Sequence, residues 1–311
     1  MPKILITPRS FAKYSDEPYT MLKNAGIECI KNPVGGILSK EEMLKHTKDI
    51  DGIIVGVDPL DKEVLTGSNL KVVSKYGVGT DNIDLAYCKE NNIDVEITRN
   101  ANSEAVADYA FALILSVARK VVEIDRKCRT GDWSKIVSAD VYGRKIGVVG
   151  LGAIGRGVVA RAKGFNMEIY GFDMFKDDDY LKENNIRFAS IDEMLKDCDF
   201  ISFHIPLTAE TKHIVNAKNL ATAKKNLIII NTARGGVINE DDLYEALNNG
   251  TILGAGLDVF ENEPPNGSKL LELESVVLGT HCAASSEGAV NEMSRMATEN
   301  IINKFKERGL I

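Results

Sequence analysis

No two of the five cysteines (Cys29, Cys88, Cys128, Cys198 and Cys282) stand in a Cys-x-x-Cys pair. Odd in number and scattered, they form neither a disulfide framework nor a zinc or other metal site, and they fit a reducing cytosol. Long hydrophobic runs are missing too. The start, "MPKILITPRS", has no signal-peptide core, and the longest apolar stretch, around "AFALILSVA", is far too short to cross a bilayer. A cytoplasmic protein without a membrane partner is expected. Positive charge is in deficit: the formal charge is −7, which argues against a nucleic-acid surface. Any anionic ligand must then be held by local groups, because the overall field repels it. There is no linker rich in Pro, Gly and Ser and no low-complexity segment.

What is present is an ordinary globular composition, 44% hydrophobic and 27% charged, over 311 residues, enough for two domains with proper cores. In the N-terminal third, "KILIT" (3–7), "DGIIVGV" (51–57), "LKVVSKYG" (70–77) and "IDVEIT" (93–98) read as strands, with helical spacing over 18–26 and 40–48. A second alternating series supplies "KIGVVG", "EIYGFD", "DFISFH", "NLIIINT", "GAGLDVF" and "VVLGTH", and a polar–apolar helix over 286–307 closes the chain. Strands alternating with helices imply parallel sheets of the α/β class, in two domains joined near residues 100 and 285. Between the two series, "SEAVADYAFALILSVARKVVEIDRKC" (103–128) reads as one long helix with more apolar surface than one domain face needs, which points to a partner subunit or to a central place in a large domain.

The strongest local signal is "KIGVVGLGAIGRGVVARAKGFNMEIYGFD". A strand leads into Gly150-x-Gly152-x-x-Gly155, a helix over 153–164 follows, and a second strand ends at Asp173, eighteen residues past Gly155. Gly150 permits the tight turn, Gly152 lets the backbone meet a pyrophosphate, and Gly155 lets the helix pack on the sheet. The pyrophosphate rests on unpaired N–H groups at the helix N-terminus, so Ala153 and Ile154 belong to the same set. Asp173 can accept both ribose hydroxyls and repels a 2′-phosphate, which favours NAD over NADP; Lys176 alone keeps that choice slightly open.

In open parallel sheets, ligands bind beyond the carboxyl ends of the strands. There the second series places His204, followed by Pro206; Arg234, after "IIINT"; Asp258, within its strand, and Glu263, after "GAGLDVF"; and His281, after "VVLGT". Arg234 offers a planar fork of donors suited to a carboxylate and an adjacent carbonyl oxygen. Gly235 and Gly236 behind it read as admitting another molecule. His281 can exchange the hydroxyl proton as hydride moves, and Glu263 beside it would favour the imidazolium. Taken singly, each has a plain alternative: a satisfied buried histidine, a solvated loop acid, a capping arginine.

At these residues the sequence resembles the D-isomer-specific 2-hydroxyacid dehydrogenases over nearly its whole length. The patterns are "KYGVGTDNID" (75–84), "NANSEAVADYAFALILSVAR" (100–119), "GLGAIG", "HIPLTAETKHIVN" (204–216), "INTARGGVI", "GAGLDVFENEP" (254–264) and "GTHCAASSEGA". The resemblance implies two doubly wound parallel-sheet domains. One is a flavodoxin-like substrate domain from 1–100 and 286–311, the other a Rossmann NAD-binding domain from 101–285. It implies Arg234, Glu263 and His281 as the catalytic trio, with the amides of Val78 and Gly79 on the substrate carboxylate. Asn102, His204, Pro206, Thr211, Thr232 and Asp258 are then cofactor contacts, Asp258 reaching the nicotinamide carboxamide. A homodimer through the NAD-binding domain, a small 2-hydroxy or 2-oxo acid as partner, and a short form without a regulatory domain are also expected.

The sequence departs from the family's pattern in places. Asp108 stands where glutamate is usual, Asn100 where glycine often precedes the motif, and Gly279-Thr280-His281 replaces a common Thr-Pro-His. Phosphoglycerate-handling relatives often carry Arg-Ser after the strand that here ends "IIVGVDPL"; Asp58 would repel a phosphate, and Arg9 with Ser10 is either a replacement anion site or a solvated arginine after a proline. Candidate substrates are 3-phosphoglycerate, glyoxylate, hydroxypyruvate or another short 2-oxo acid. Glu263 counts against a formate dehydrogenase, where glutamine is expected. A non-catalytic NAD(H)-sensing protein of the same fold is the competing reading.

Overall fold

The computed structural model describes all residues from Met1 to Ile311, in two compact units, Met1–Asn102 with Ser285–Ile311 and Ser103–Ala284. The first unit holds strands β1 (Lys3–Ile6), β2 (Glu28–Lys31), β3 (Gly52–Val55), β4 (Val72–Lys75) and β5 (Asp94–Ile97), and helices α1 (Glu17–Asn24), α2 (Lys40–His46), α3 (Lys62–Thr66) and α4 (Leu85–Glu90). The closing helix, numbered α12 (Glu287–Glu307), belongs to it as well. The sheet is wholly parallel in the order β2-β1-β3-β4-β5, the flavodoxin-like winding. Strand β3 is buried throughout, as a strand covered on both faces should be. Gly52 within it leaves room for α12: a Cβ there would stand 2.9 Å from the ring of Phe305, which is fully buried. Strand β2, "ECIK", has no alternation of burial, so no period in the sequence marks it.

The second unit carries α5 (Ser103–Ala118), α6 (Val121–Arg129), β6 (Lys145–Val149), α7 (Ala153–Gly164), β7 (Glu168–Phe172), α8 (Asp178–Glu183), β8 (Arg187–Phe188), α9 (Ile191–Asp197), β9 (Phe200–Phe203), α10 (Ala217–Leu220), β10 (Ile228–Asn231), α11 (Glu240–Asn248), β11 (Gly254–Leu257) and β12 (Val276–Leu278). Its parallel sheet runs β12-β11-β10-β9-β6-β7-β8, the Rossmann winding extended by one strand. The order reverses between β6 and β9, which places a ligand crevice at the ends of those two strands.

The single helix expected over 103–128 is two. Helix α5 buries Val106, Phe111, Leu113 and Ile114 in the core, whereas α6 buries nothing. Between them Lys120 adopts a left-handed conformation, φ 53°, and its N–H closes a turn on the Val117 carbonyl. Burial ends at Ala118, and with it the reason for the chain to keep its direction. No helix is long and apolar enough to cross a membrane.

Candidate active site

The glycines after β6 differ in what surrounds them. Gly150 has φ 96°, and a Cβ there would lie 2.5 Å from the His204 carbonyl oxygen. At Gly155 a Cβ would lie 1.8 Å from the Gly150 carbonyl oxygen, so α7 reaches the turn only without a side chain. Around Gly152 there is nothing within 4 Å. The approach to the first turn of α7, with Ala153 and Ile154, is therefore open on that side, and the amides of that turn have no intrahelical carbonyl to use. Asp173, just past β7, accepts the Leu151 amide on Oδ2 (2.7 Å) and the Phe175 amide on Oδ1 (3.0 Å). Each oxygen keeps a further lone pair for a ribose hydroxyl. Lys176 pairs with Asp178 at 2.6 Å, at the start of α8.

Buried polar atoms nearly always find partners, so those that do not are informative. His204 Nδ1, Thr232 Oγ1 and Asn102 Oδ1 are buried without a hydrogen-bond partner in the protein. The other nitrogen of His204 lies 2.8 Å from Ser202 Oγ, and burial pushes the imidazole down to about 3, so the ring is neutral. These are residues expected to meet a dinucleotide, and their unfilled valences fit one. Thr211 differs: its hydroxyl donates to the Pro206 carbonyl (2.7 Å) and accepts the Thr208 amide (2.7 Å), so it braces its own turn. Pro206 is exposed on that turn.

Beyond β10, the buried Asn231 shapes the turn that carries Arg234. Its Nδ2 donates to the Arg234 carbonyl (2.8 Å) and its Oδ1 accepts the Ala233 amide (3.0 Å). Arg234 Nη1 reaches the Ala233 carbonyl at 2.7 Å. The glycines that follow do not open space for another molecule, as the sequence suggested. A Cβ on Gly235 would stand 2.0 Å from the Phe260 carbonyl carbon, and one on Gly236 would stand 3.2 Å from Leu207. Gly235 lets the arginine turn lie directly against the backbone that leads to Glu263, and Gly236 makes room for Leu207.

The carboxylate of Glu263 is held from both sides. Oε1 accepts the Phe260 amide (3.1 Å), and Oε2 lies 2.7 Å from His281 Nδ1. Burial pushes its carboxyl up, but the His281 hydrogen bond and charge, the Phe260 amide and the Arg234 charge together hold it below the ordinary range. Glu263 is thus an anion at neutral pH, and with Nδ1 engaged, Nε2 is the ring nitrogen left for proton exchange. The structure brings Arg234, Glu263 and His281 into one electrostatic group.

Asp258, expected to reach the nicotinamide carboxamide, is held from the protein side on both oxygens. It is 1% exposed, and its oxygens accept the amides of Cys282 (3.0 Å) and Ala283 (2.8 Å), while its carbonyl accepts the His281 amide (2.8 Å). The contacts it makes fasten the loop that carries His281.

In the first unit, Gly77 (φ 128°) turns the chain out of β4 into Val78, which is exposed, and Gly79. The buried Lys75 donates to the Gly56 carbonyl and to Asn82 Oδ1 (3.0 Å), and Asn82 Nδ2 donates to the carbonyls of Gly56 (3.1 Å) and Asp58 (2.6 Å). This bracket ties the turn after β3 to the turn that carries Val78 and Gly79. Asp58 is not a ligand-facing charge: it is 2% exposed, accepts from Thr7 Oγ1, and takes the Leu38 amide at 2.8 Å. Arg9 is exposed after β1, and Ser10 bonds the Tyr76 hydroxyl at 3.4 Å.

Residues 111–283 match the family described as "D-isomer specific 2-hydroxyacid dehydrogenase, NAD binding domain". The chain belongs to that family. It is 41% identical over 273 residues to a glyoxylate reductase of Korarchaeum cryptofilum, covering 85% of this chain and 82% of that one. It is 39% identical over 269 residues to a D-3-phosphoglycerate dehydrogenase of Methanocaldococcus jannaschii, covering 85% of this chain and 51% of the relative. Among solved structures, a D-lactate dehydrogenase from Aquifex aeolicus complexed with NAD and lactic acid superposes with a TM-score of 0.84 at 29% identity, covering 99% of this chain and 96% of that one. The protein is an NAD-dependent oxidoreductase of 2-hydroxy and 2-oxo acids.

For this dehydrogenase the sensing reading is not favoured. Sequence reasoning missed Asn231 and Lys75 as organising residues. Asn231 ends a run of isoleucines and was readable as a turn former, since Asn side chains bond their own backbone two residues on. Lys75 carried no such mark, because a lysine at a strand end is ordinarily solvated.

Proposed function

We propose that the enzyme reduces a short, unphosphorylated 2-oxo acid such as glyoxylate or hydroxypyruvate with NADH, and that Arg234, Glu263 and His281 carry the reaction. The observation behind this reading is the 2.7 Å His281–Glu263 contact beside the Arg234 charge. Gly150, Gly152, Ala153, Ile154, Gly155 and Asp173 would hold the dinucleotide, with His204, Pro206, Thr232 and Asn102 completing its surroundings. When bound, NADH supplies the hydride that adds to the 2-oxo carbon. His281 Nε2 gives its proton to the carbonyl oxygen as that oxygen gains charge, and Glu263 stays ionised to steady the imidazolium beforehand. Arg234 neutralises the carboxylate and aligns the carbonyl. Val78 and Gly79 offer amides for the carboxylate. The unphosphorylated class is favoured because the exit of β3 presents the apolar Val57, 54% exposed, and Asp58 is turned inward.

A panel of 2-oxo acids with and without a phosphate on the third carbon tests the substrate class. Turnover of glyoxylate or hydroxypyruvate should exceed that of phosphohydroxypyruvate. The reverse order, lost again in Arg9→Ala, would assign Arg9 to a phosphate. Glu263→Gln should move the basic limb of the reduction pH profile to lower pH, because the imidazolium loses an anionic partner. An unmoved limb would separate Glu263 from the proton donor.

A homodimer through this second unit is part of the same proposal. Helix α6 leaves Val121 (50%), Val122 (44%) and Ile124 (41%) exposed, and the segment after it leaves Trp133 (86%) and Val137 (94%) exposed. Such apolar surface marks a contact site, and sedimentation velocity reads the mass directly. The five unpaired thiols support a reducing, cytoplasmic setting.

A further inference from the structure

We infer that Tyr109 is a positioning residue for the reaction: its hydroxyl, acting through Cys282, holds the 279–283 loop in the arrangement that sets the His281 ring against Glu263. The inference rests on the reading of His281 as the proton donor. Tyr109 lies on α5 and meets neither Arg234, Glu263 nor the imidazole through any hydrogen bond. Its hydroxyl oxygen shares the Cys282 thiol with Asp258 Oδ1, at 3.3 Å and 3.6 Å. Asp258 in turn accepts the Cys282 and Ala283 amides on its carboxylate and the His281 amide on its carbonyl. Besides the Gly279 amide, which donates to the Leu257 carbonyl, and the His281–Glu263 contact, the polar ties of this loop converge on one buried aspartate and one tyrosine.

Two features of the loop make that brace necessary. His281 sits at φ 55°, a left-handed conformation that a side-chain-bearing residue keeps only when its surroundings impose it. Gly279, two residues earlier, has its side-chain volume already filled: a Cβ would lie 2.1 Å from Asp258 Oδ1 and 2.8 Å from the Tyr109 hydroxyl. The Gly-Thr-His departure noted in the sequence is thus coupled to a tyrosine on a different element. Tyr109 is partly buried, and burial with the nearby Cys282 and Asp258 raises its hydroxyl well above the usual phenol range. It stays protonated and uncharged across the working range, which suits a fixed brace and excludes a proton-transfer role.

The test is a double-mutant cycle on the full-length protein with NADH and glyoxylate or hydroxypyruvate, read alongside the NMR titration of the His281 ring without cofactor. Tyr109→Phe should lower kcat by about three- to tenfold, the range set by one lost hydrogen bond, while KM and the NADH Kd stay within about twofold. The His281 titration should shift to lower pH as its pairing with Glu263 loosens. Cys282→Ala should match both changes, and the double variant should be no worse than the poorer single one, because both act through one contact. Cys282→Ser, which restores a donor, should recover most of what Cys282→Ala loses. Unchanged kcat and titration in a folded Tyr109→Phe protein, additive losses in the double variant, or failure of the serine to restore function would each overturn the inference. If neither acid is turned over by the unaltered enzyme, the substrate reading fails, and the titration still decides the role of Tyr109. Should Tyr109→Phe not fold, the alanine and serine variants of Cys282 carry the decision.

Discussion

Arg234→Ala is expected to cut kcat/KM for any 2-oxo acid by about 10³-fold, leaving the NADH Kd within a few-fold of the parent. Truncating one partner of a hydrogen-bonded charge pair costs about 2–5 kcal/mol, and each ~1.4 kcal/mol is a factor of ten. In the proposed reaction the guanidinium would have two tasks, on the substrate and on the electrostatics of Glu263, so the upper part of that range applies. The fold should survive, because the turn is shaped by the side chain of Asn231 and by contacts of Gly235, neither of which depends on the guanidinium. Steady-state kinetics beside NADH fluorescence titration reads both quantities. Loss of NADH binding with the activity would place this arginine on the cofactor instead.

A paired substitution in the glycine turn should split folding from binding. Gly155→Ala puts a methyl carbon 1.8 Å from a backbone oxygen that has no rotamer by which to yield. Overpacking of this kind costs about 1–3 kcal/mol, so Tm should fall by several degrees and NADH affinity by about tenfold or more. Gly152→Ala meets nothing within 4 Å, and its backbone, φ −71° and ψ −166°, suits any residue. Its Tm should match the parent, while NADH binding weakens comparably, because the methyl group would stand where the pyrophosphate is proposed to rest. Differential scanning calorimetry and fluorescence titration check the pair. A Gly152→Ala protein that binds NADH normally would show that the anion lies elsewhere.

Much of the scaffold was legible because its strands are dense and evenly punctuated: "IIIN" and "GIIV" leave few alternatives to buried parallel strands. The meeting of Arg234, Glu263 and His281 was legible because all three follow strand exits of one parallel sheet. What escaped has a common physical cause. Strand β2 and the break at Lys120 depend on what tertiary neighbours cover, which no local period encodes. Asp58 and Asp258 read as charges aimed at ligands, and both proved to be buried acceptors for neighbouring amides and hydroxyls. Composition gives a carboxylate's presence but not its direction. Gly235 and Gly236 were rightly seen as making way for something, and that something is the chain itself.

That last contact limits how the enzyme can change. Because the Arg234 turn rests on bare main chain leading to Glu263, the spacing between cation and acid is a property of the backbone, beyond the reach of side-chain exchange. Redesign for longer or bulkier acids would have to leave this jaw alone.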